Sequence, residues 1–220
     1  MKHYDLIHNS EEWYAARAGV ATSSAFDRII TNKTWKMSSQ ADQYANELVA
    51  EFIIGKPLDR NFSVYAMEWG HAHEQDAINL YQFEKNVDVT RGGFFVNDAH
   101  TLGASPDVRI IDQAGETLGL AEIKCPENPA VHVEYLLMQE MNPKYKAQTQ
   151  GQLLVSGAQY VDWFSYHPDM PFACVRIDRD EEFSAALEEC LDDFQKLLHE
   201  KLMRCVELGI FDELPVKTVE

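Results

Sequence analysis

The stretch SPDVRIIDQAGETLGLAEIKCP, residues 105–126, decides how the rest of the chain is read. Two runs rich in branched and apolar residues flank Ala114-Gly115, which reads as the two-residue loop of a β-hairpin. Pairing then runs from 113 with 116 down to Asp107 opposite Glu122. Carboxylates facing each other across a ladder lie about 5 Å apart and repel, a cost that needs a reason. Period two along the second strand places Leu118, Leu120, Glu122 and Lys124 on one face, so an acid and a lysine emerge together after two apolar positions.

Outward from the hairpin, the period changes on both sides. Residues 39–54 space Tyr44, Leu48 and Phe52 four apart and stop at Gly55 before Pro57, which predicts a helix. Residues 63–85 continue in helical style, with Met67, Ile78 and Tyr81 on one stripe. Further upstream, Asn9 with Glu12 forms a candidate capping box for a helix ending at Gly19, and Thr22 or Ser23 caps a second through Ile30. VDVT and GFFV read as strands. Residues 129–156 return to helix with a break at Asn142-Pro143. QYVDWFSY and FACVRID form a second hairpin through HPDMP. From Glu181 to Leu208, Phe183, Leu187, Cys190, Phe194, Leu198, Leu202 and Cys205 share one side, and most acids take the other. This order predicts an α/β fold, a mixed central sheet flanked by helices, in one domain spanning 1–220 with its core at about 5–200.

The composition narrows the setting. With 45% hydrophobic and 25% charged residues among 220, fibrous and disordered classes are excluded. No run approaches the roughly 18–20 apolar residues of a spanning helix, and the first residues lack a signal-peptide core, so the expectation is a cytoplasmic protein without membrane association. Four cysteines without a CxxC pair predict no disulfide and no structural zinc. The net charge of −17 argues at face value against a polyanionic partner. Its distribution weakens that objection: residues 178–220 carry 13 acidic and 5 basic side chains, whereas residues 1–60 carry 8 and 7.

An Asp, a Glu and a Lys converging at strand ends suit Mg²⁺-assisted phosphodiester hydrolysis: hard oxygen ligands hold the ion, which lowers the pKa of a bound water, and the lysine steadies developing charge. The simpler alternative is a surface salt bridge between Lys124 and either acid. Glu74, in WGHAHEQDA, stands at i, i+4 and i+7 with Ile78 and Tyr81, so its carboxylate is expected to point inward, where a metal would compensate its burial. A rival reading takes His71 and His73 with Glu74 as transition-metal ligands. Those two histidines fall on opposite sides of the helix, and no third convergent ligand is evident.

Five ordered stretches carry a specific resemblance. They are W-x(3)-R-x-G-V-x-T-x-S at Trp13 to Ser24, W-G-x(3)-E at Trp69 to Glu74, S-P-D at Ser105 to Asp107, E-x-K-C-P at Glu122 to Pro126 and Y-x-A-Q-x-Q at Tyr145 to Gln150. Together they resemble the bacteriophage lambda exonuclease family, the viral-recombinase branch of the PD-(D/E)XK nucleases with their restriction-endonuclease-like fold. The resemblance implies Asp107, Glu122 and the Ile123 carbonyl as metal ligands, Glu74 at a metal site and Lys124 assisting the attacking water. It also implies Arg17, Ser24, Ser105 and Gln150 as receivers of a 5′-terminal phosphate. Ser24 at a first helical turn and an arginine upstream fit an anion independently; the alternative makes Ser24 a plain cap and Arg17 a helix C-terminal charge.

Residues 28–37, RIITNKTWKM, place Arg28, Lys33 and Lys36 around Trp35, a candidate DNA contact through phosphates and stacking, or else an ordinary loop anchored by Trp35. The resemblance further implies a 5′-to-3′ exonuclease on double-stranded DNA ends. It would use Mg²⁺, with Mn²⁺ as substitute, at a two-metal site, and leave 3′ overhangs for a single-strand-annealing partner in phage or prophage recombination. A homotrimeric toroid, also implied, would line its channel with basic groups and carry the acids outside. The competing readings are another nuclease of the superfamily, endonucleolytic or 3′-directed, and a noncatalytic DNA-end-binding module.

Overall fold

The fold is described by a computed structural model covering residues 1–58 and 64–215, with backbone alone at 64–67. Met67, placed on the apolar stripe from sequence, has its side chain outside the described residues. A five-stranded mixed sheet is built from β3 (Val89–Arg91), β6 (Val108–Ile111), β7 (Thr117–Lys124), β8 (Tyr160–Ser165) and β9 (Ala173–Asp178), in that spatial order. All its pairs are antiparallel except β7 with β8. The parallel pair is joined by α4 (Pro129–Met138), a 3₁₀ turn at Pro143–Tyr145 and α5 (Lys146–Ser156), the long crossover that parallel strands require.

A second, four-stranded sheet has the order β1 (Lys2–Tyr4), β4 (Phe94–Val96), β5 (Leu102–Ala104) and β2 (Ala21–Thr22). Three of these strands, β1, β2 and β5, escape sequence reading because they hold only two or three residues and, unlike the equally short β3 and β4, lack a run of branched or aromatic residues to mark them. Three long helices complete the α/β architecture: α2 (Ala41–Ile54), α3 (Val64–Lys85) and α6 (Glu181–Glu207). None of the helices in the described residues is long and apolar enough to cross a membrane.

Strand β7 is buried on both faces, and its alternation assigns each face to a different core. Leu120 joins Phe26, Tyr44, Leu48, Phe183, Leu187 and Phe194 against α2, α5 and α6. Ala121 and Ile123 turn the other way, to Val108, Ile110, Phe164 and the Ala77, Ile78 and Tyr81 stripe of α3. Period two therefore places Glu122 and Lys124 on the α5 side of the sheet. A buried Asp162 on β8 accepts hydrogen bonds from Tyr81 Oη at 2.8 Å and from Arg176 Nε and Nη2 at 2.9 Å, so its charge is paired.

The hairpin register holds by compensation. Val108 pairs with Ala121, Arg109 with Leu120 and Ile110 with Gly119, as the sequence predicts. The turn is longer than two residues: Asp112 N donates to Glu116 O, and Gly115 has φ +83°, a left-handed conformation that glycine adopts without strain. Ile111 then pairs with Thr117, and the register shifts beside Leu118 to restore the predicted ladder.

The α1 helix (Glu11–Arg17) is capped by Ser10, whose Oγ accepts from Trp13 N, and not by Asn9, which sits at φ +66°. The expected helix after Thr22 is a six-residue 3₁₀ turn, Ser23–Arg28, without a side-chain cap bond. All four cysteines are free thiols, as expected.

Candidate active site

Asp107 sits just before β6, where the SPD segment passes tightly against the β3–β4 turn. A Cβ on Gly92 would lie 1.6 Å from the Pro106 carbonyl oxygen, so only glycine lets the two chains meet there. Gly92 N donates to Asp107 O at 3.1 Å, and the Asp107 carboxylate accepts from Ile123 N at 2.6 Å, which ties it to the end of β7.

Glu122, only 3% exposed, is gripped from two elements. Its Oε1 accepts from Lys124 Nζ at 2.6 Å and Gln148 Nε2 at 2.7 Å, and its Oε2 from Gln152 Nε2 at 2.5 Å. Gln148 and Gln152 stand four apart on α5, so one helical face serves one carboxylate.

The electrostatics describe a site crowded with negative charge. Burial, followed by the Glu122 carboxylate, pushes the Asp107 carboxyl well above the usual carboxylate range; Lys124 opposes this, and Glu74 adds to it. Lys124 loses from burial but gains more from Glu122 and Asp107, so its ammonium holds its proton more tightly than usual. Burial, with Asp107 and Glu74 behind it, raises the Cys125 thiol to about 12. Glu74 is half-buried on α3, less enclosed than Ile78 and Tyr81, with which the sequence reading aligned it.

Carboxylate oxygens and a neighbouring strand-end carbonyl form a hard donor set, and their mutual repulsion is what a divalent cation relieves. The residues fit such an ion in chemistry and charge. Among the described residues no three Asp, Glu, His or Cys side chains close on one ligand point, and the Glu122 carboxylate is engaged by Lys124, Gln148 and Gln152. The His71 and His73 alternative gains nothing: His71 is exposed, and the His73 ring lies against Trp69 with centroids 4.3 Å apart.

A second group gathers at the end of α1. Arg17 Nη1 donates to Ser105 Oγ at 2.8 Å and Nη2 to Thr22 Oγ1 at 3.3 Å; Thr22 Oγ1 lies 3.3 Å from Ser24 Oγ. The guanidinium rests 4.2 Å from the centroid of the Trp13 ring, whose Nε1 also donates to Ser105 Oγ. This fixes the plane of the arginine by cation–π contact. Trp13, Arg17, Thr22 and Ser24 line a cavity of about 600 Å³. Ser24 also lines a smaller pocket of about 150 Å³ with Lys144, Tyr145 and Gln148, so the hydroxyl group and the Glu122 network share a wall. His8 belongs to the same neighbourhood: burial lowers its pKa, while Glu74 and Glu122 raise it and Arg17 lowers it.

Of the residues expected to receive a phosphate, Arg17, Ser24 and Ser105 come together and Gln150 does not. Gln150 Nε2 donates to Asp178 O at 2.9 Å, and its Oε1 accepts from Asp180 N and Ser184 Oγ, so both ends of its amide tie β9 to α6. The α5 glutamine at the site is Gln148, two residues away and therefore on another helix face. The anion argument for Ser24 also changes: a six-residue 3₁₀ turn has little dipole, so Arg17 and the hydroxyls carry it.

In the basic loop, Arg28 pairs with Glu47 through two bonds of 2.5 and 2.7 Å and lies over Tyr44, so its charge is already partnered within the fold. Trp35 is half-buried, edge-on to Phe183 at 5.6 Å with Lys146 over its ring, the core-anchoring alternative. Lys33 and Lys36 are exposed. Sequence reading took Thr22 only as a helix cap and gave no site role to Gln148, which stands inside the Y-x-A-Q-x-Q stretch, or to Gln152 and His8. The four-residue spacing of Gln148 and Gln152 was the available signal.

A model of the YqaJ-like viral recombinase domain matches residues 12–159. Among solved structures, the chain is similar to LHK-Exo in complex with dAMP, at 30% identity and TM-score 0.78, covering 91% of this chain and 98% of that one. It is also similar to the alkaline exonuclease LHK-Exo from Laribacter hongkongensis, at 28% identity and TM-score 0.72, covering 90% and 100%. A phage-related exonuclease from Haemophilus somnus 129PT shares the fold at 13% identity and TM-score 0.61, over 92% and 97%. No curated protein matches. By its sequence and its fold, the chain belongs to the YqaJ-like viral recombinase family of lambda-type DNA exonucleases.

Proposed function

We propose that this chain is a Mg²⁺-dependent exonuclease that degrades one strand of duplex DNA from its 5′ end and releases 5′-mononucleotides. The observation that carries this reading is the shared wall between two groups: Arg17, Ser105, Thr22 and Ser24 on one side, and Glu122 with Lys124 on the other, bridged by Ser24 and Gln148. A terminal phosphate held by the first group sets the next phosphodiester near the second. The gain is one of orientation, since a fixed end reacts as an intramolecular partner.

Asp107, Glu122 and the Ile123 carbonyl would hold the ion and Glu74 would serve a second metal site, with Mn²⁺ able to replace Mg²⁺. When bound, the ion supplies charge neutralisation and a water of lowered pKa. Lys124, held between two carboxylates, keeps its proton and lends positive charge to the reacting phosphate. Arg17 donates to the terminal phosphate in a half-buried cleft, where charge-assisted bonds are strong. Lys33 and Lys36 contact the duplex backbone. The full chain acts as a single nuclease domain, assembled as a homotrimer in the cytoplasm of a bacterial host, and hands 3′ overhangs to a single-strand-annealing protein.

The test is digestion of linear duplex with 5′-phosphate or 5′-hydroxyl ends, end-labelled on either strand, with Mg²⁺ and with EDTA. Mg²⁺-dependent release from the 5′ end, faster with phosphate, is expected. Cutting of closed circles, or label leaving first from the 3′ end, would favour a different nuclease of the same superfamily. Retention of ends without cutting would favour a binding module.

A further inference from the structure

Gln152 is fully buried, and its amide is only half used. Nε2 donates to Glu122 Oε2 at 2.5 Å, while Oε1, buried as well, has no hydrogen-bond partner among the described residues. An orphaned buried carbonyl is costly, and a leucine of similar size at this point of α5 would fill the space without it. Among the described residues the Nε2–Glu122 bond is the one side-chain hydrogen bond that favours a polar group here.

That bond differs in kind from the other two on the same carboxylate. Lys124 and Gln148 both bind Oε1, and both are half-buried, so solvent or substrate can reach and replace them. Gln152 holds Oε2 from inside the protein, where nothing competes for its N–H. A carboxylate oxygen has two lone-pair positions; one is taken by Gln152, and the other keeps a fixed direction.

We infer that Gln152 is a positioning residue that locks the rotamer of Glu122, so that the carboxylate stays aimed when Lys124 and Gln148 let go of it to engage a cation or the DNA. The inference rests on the reading of Glu122 as a metal ligand. Outer hydrogen bonds of this kind set the orientation and basicity of ligating groups.

The experiment uses the full chain without DNA and measures Mn²⁺ affinity by calorimetric titration for the wild type, Gln152→Leu and Gln152→Met, with melting curves for each. Both variants are expected to bind Mn²⁺ about tenfold more weakly, since loss of an outer partner of a metal ligand has effects of that order. Both variants remove the orphaned carbonyl but also leave Glu122 Oε2 without its buried donor, so melting temperature should fall by no more than a few degrees, with a cooperative transition retained. The Mg²⁺ concentration for half-maximal cleavage of duplex ends should rise by the same factor. In a Glu122→Gln background the substitution should change Mn²⁺ affinity by less than about twofold, the usual scatter of independent effects.

Mn²⁺ affinity unchanged in both variants, while the wild type binds Mn²⁺ and cuts DNA, overturns the role of Gln152 alone. So does an equal loss in the Glu122→Gln background, or a collapse of folding in both variants, which would make Gln152 a packing residue. A wild type that neither binds Mn²⁺ nor cuts duplex ends overturns the nuclease reading itself.

Discussion

Arg17→Ala is the perturbation that best separates end recognition from chemistry. The guanidinium makes bonds of 2.8 Å to Ser105 and 3.3 Å to Thr22 and rests on Trp13, so its plane is set before any ligand arrives. A hydrogen bond to a charged group contributes about 1.5–3 kcal/mol. With about 1.4 kcal/mol per decade of rate, kcat/KM on 5′-phosphorylated ends should fall by about 10- to 100-fold. On 5′-hydroxyl ends the same bond has no charged partner, and the loss should stay within about threefold, the size of a weak neutral hydrogen bond. The substitution also removes a cation–π stack and two hydroxyl bonds in a half-buried cleft, so the rates are compared at a temperature where both proteins are folded. The assay is initial-rate digestion of two duplexes differing only in the terminal phosphate, with circular dichroism melts as control. A loss of equal size on both ends, or no loss on either, refutes the terminal-phosphate reading of this cluster.

Asp107→Asn should abolish cleavage yet raise the melting temperature at neutral pH. Burial and Glu122 push the wild-type carboxyl upward, so its charged form costs stability at every pH above the ordinary carboxylate range; melting curves with and without Mg²⁺ check this, and a lower melting temperature would contradict it. In the basic loop, Lys33→Ala with Lys36→Ala should flatten the salt dependence of duplex binding by about one unit of slope for each phosphate that is no longer neutralised. Arg28→Ala should leave that slope alone and reduce stability, because its charge is already paired with Glu47; fluorescence-anisotropy titrations at several salt concentrations distinguish the two outcomes. Asp180→Ala should cost about 1 kcal/mol through removal of a helix cap. Lys146 and the Phe183 amide hold the Asp180 carboxyl below its usual range, so its contribution is full above the ordinary carboxylate pKa and fades as pH falls below it. Urea melts of both proteins from pH 7 to pH 3 should therefore converge at the acid end.

What the sequence determined by itself is whatever a local period can encode. The stripe of α6, the shared face of Leu120, Glu122 and Lys124 on β7 and the pairing of Val108 with Ala121 all follow from spacings of two and 3.6 residues, and they place Asp107, Glu122 and Lys124 together. Even the misjudged turn length was harmless, because the longer loop and the shift beside Leu118 cancel. The ordered motifs likewise bring Arg17 to Ser105 across 88 positions, although no local rule says why. The tertiary structure alone decided which neighbours each polar group meets. Gln150 and Gln148 are equally good phosphate donors as residues; the seating of α5 against β7 turns one to Glu122 and the other to the start of α6. Arg28 reads as a free cation until α2 brings Glu47 beside it, and Gln152 has no reading at all until Glu122 is found at its end. A hydrogen bond of less than 3 Å is fixed by packing between distant elements, and packing depends on the shape of every side chain in the interface, which periodicity does not record.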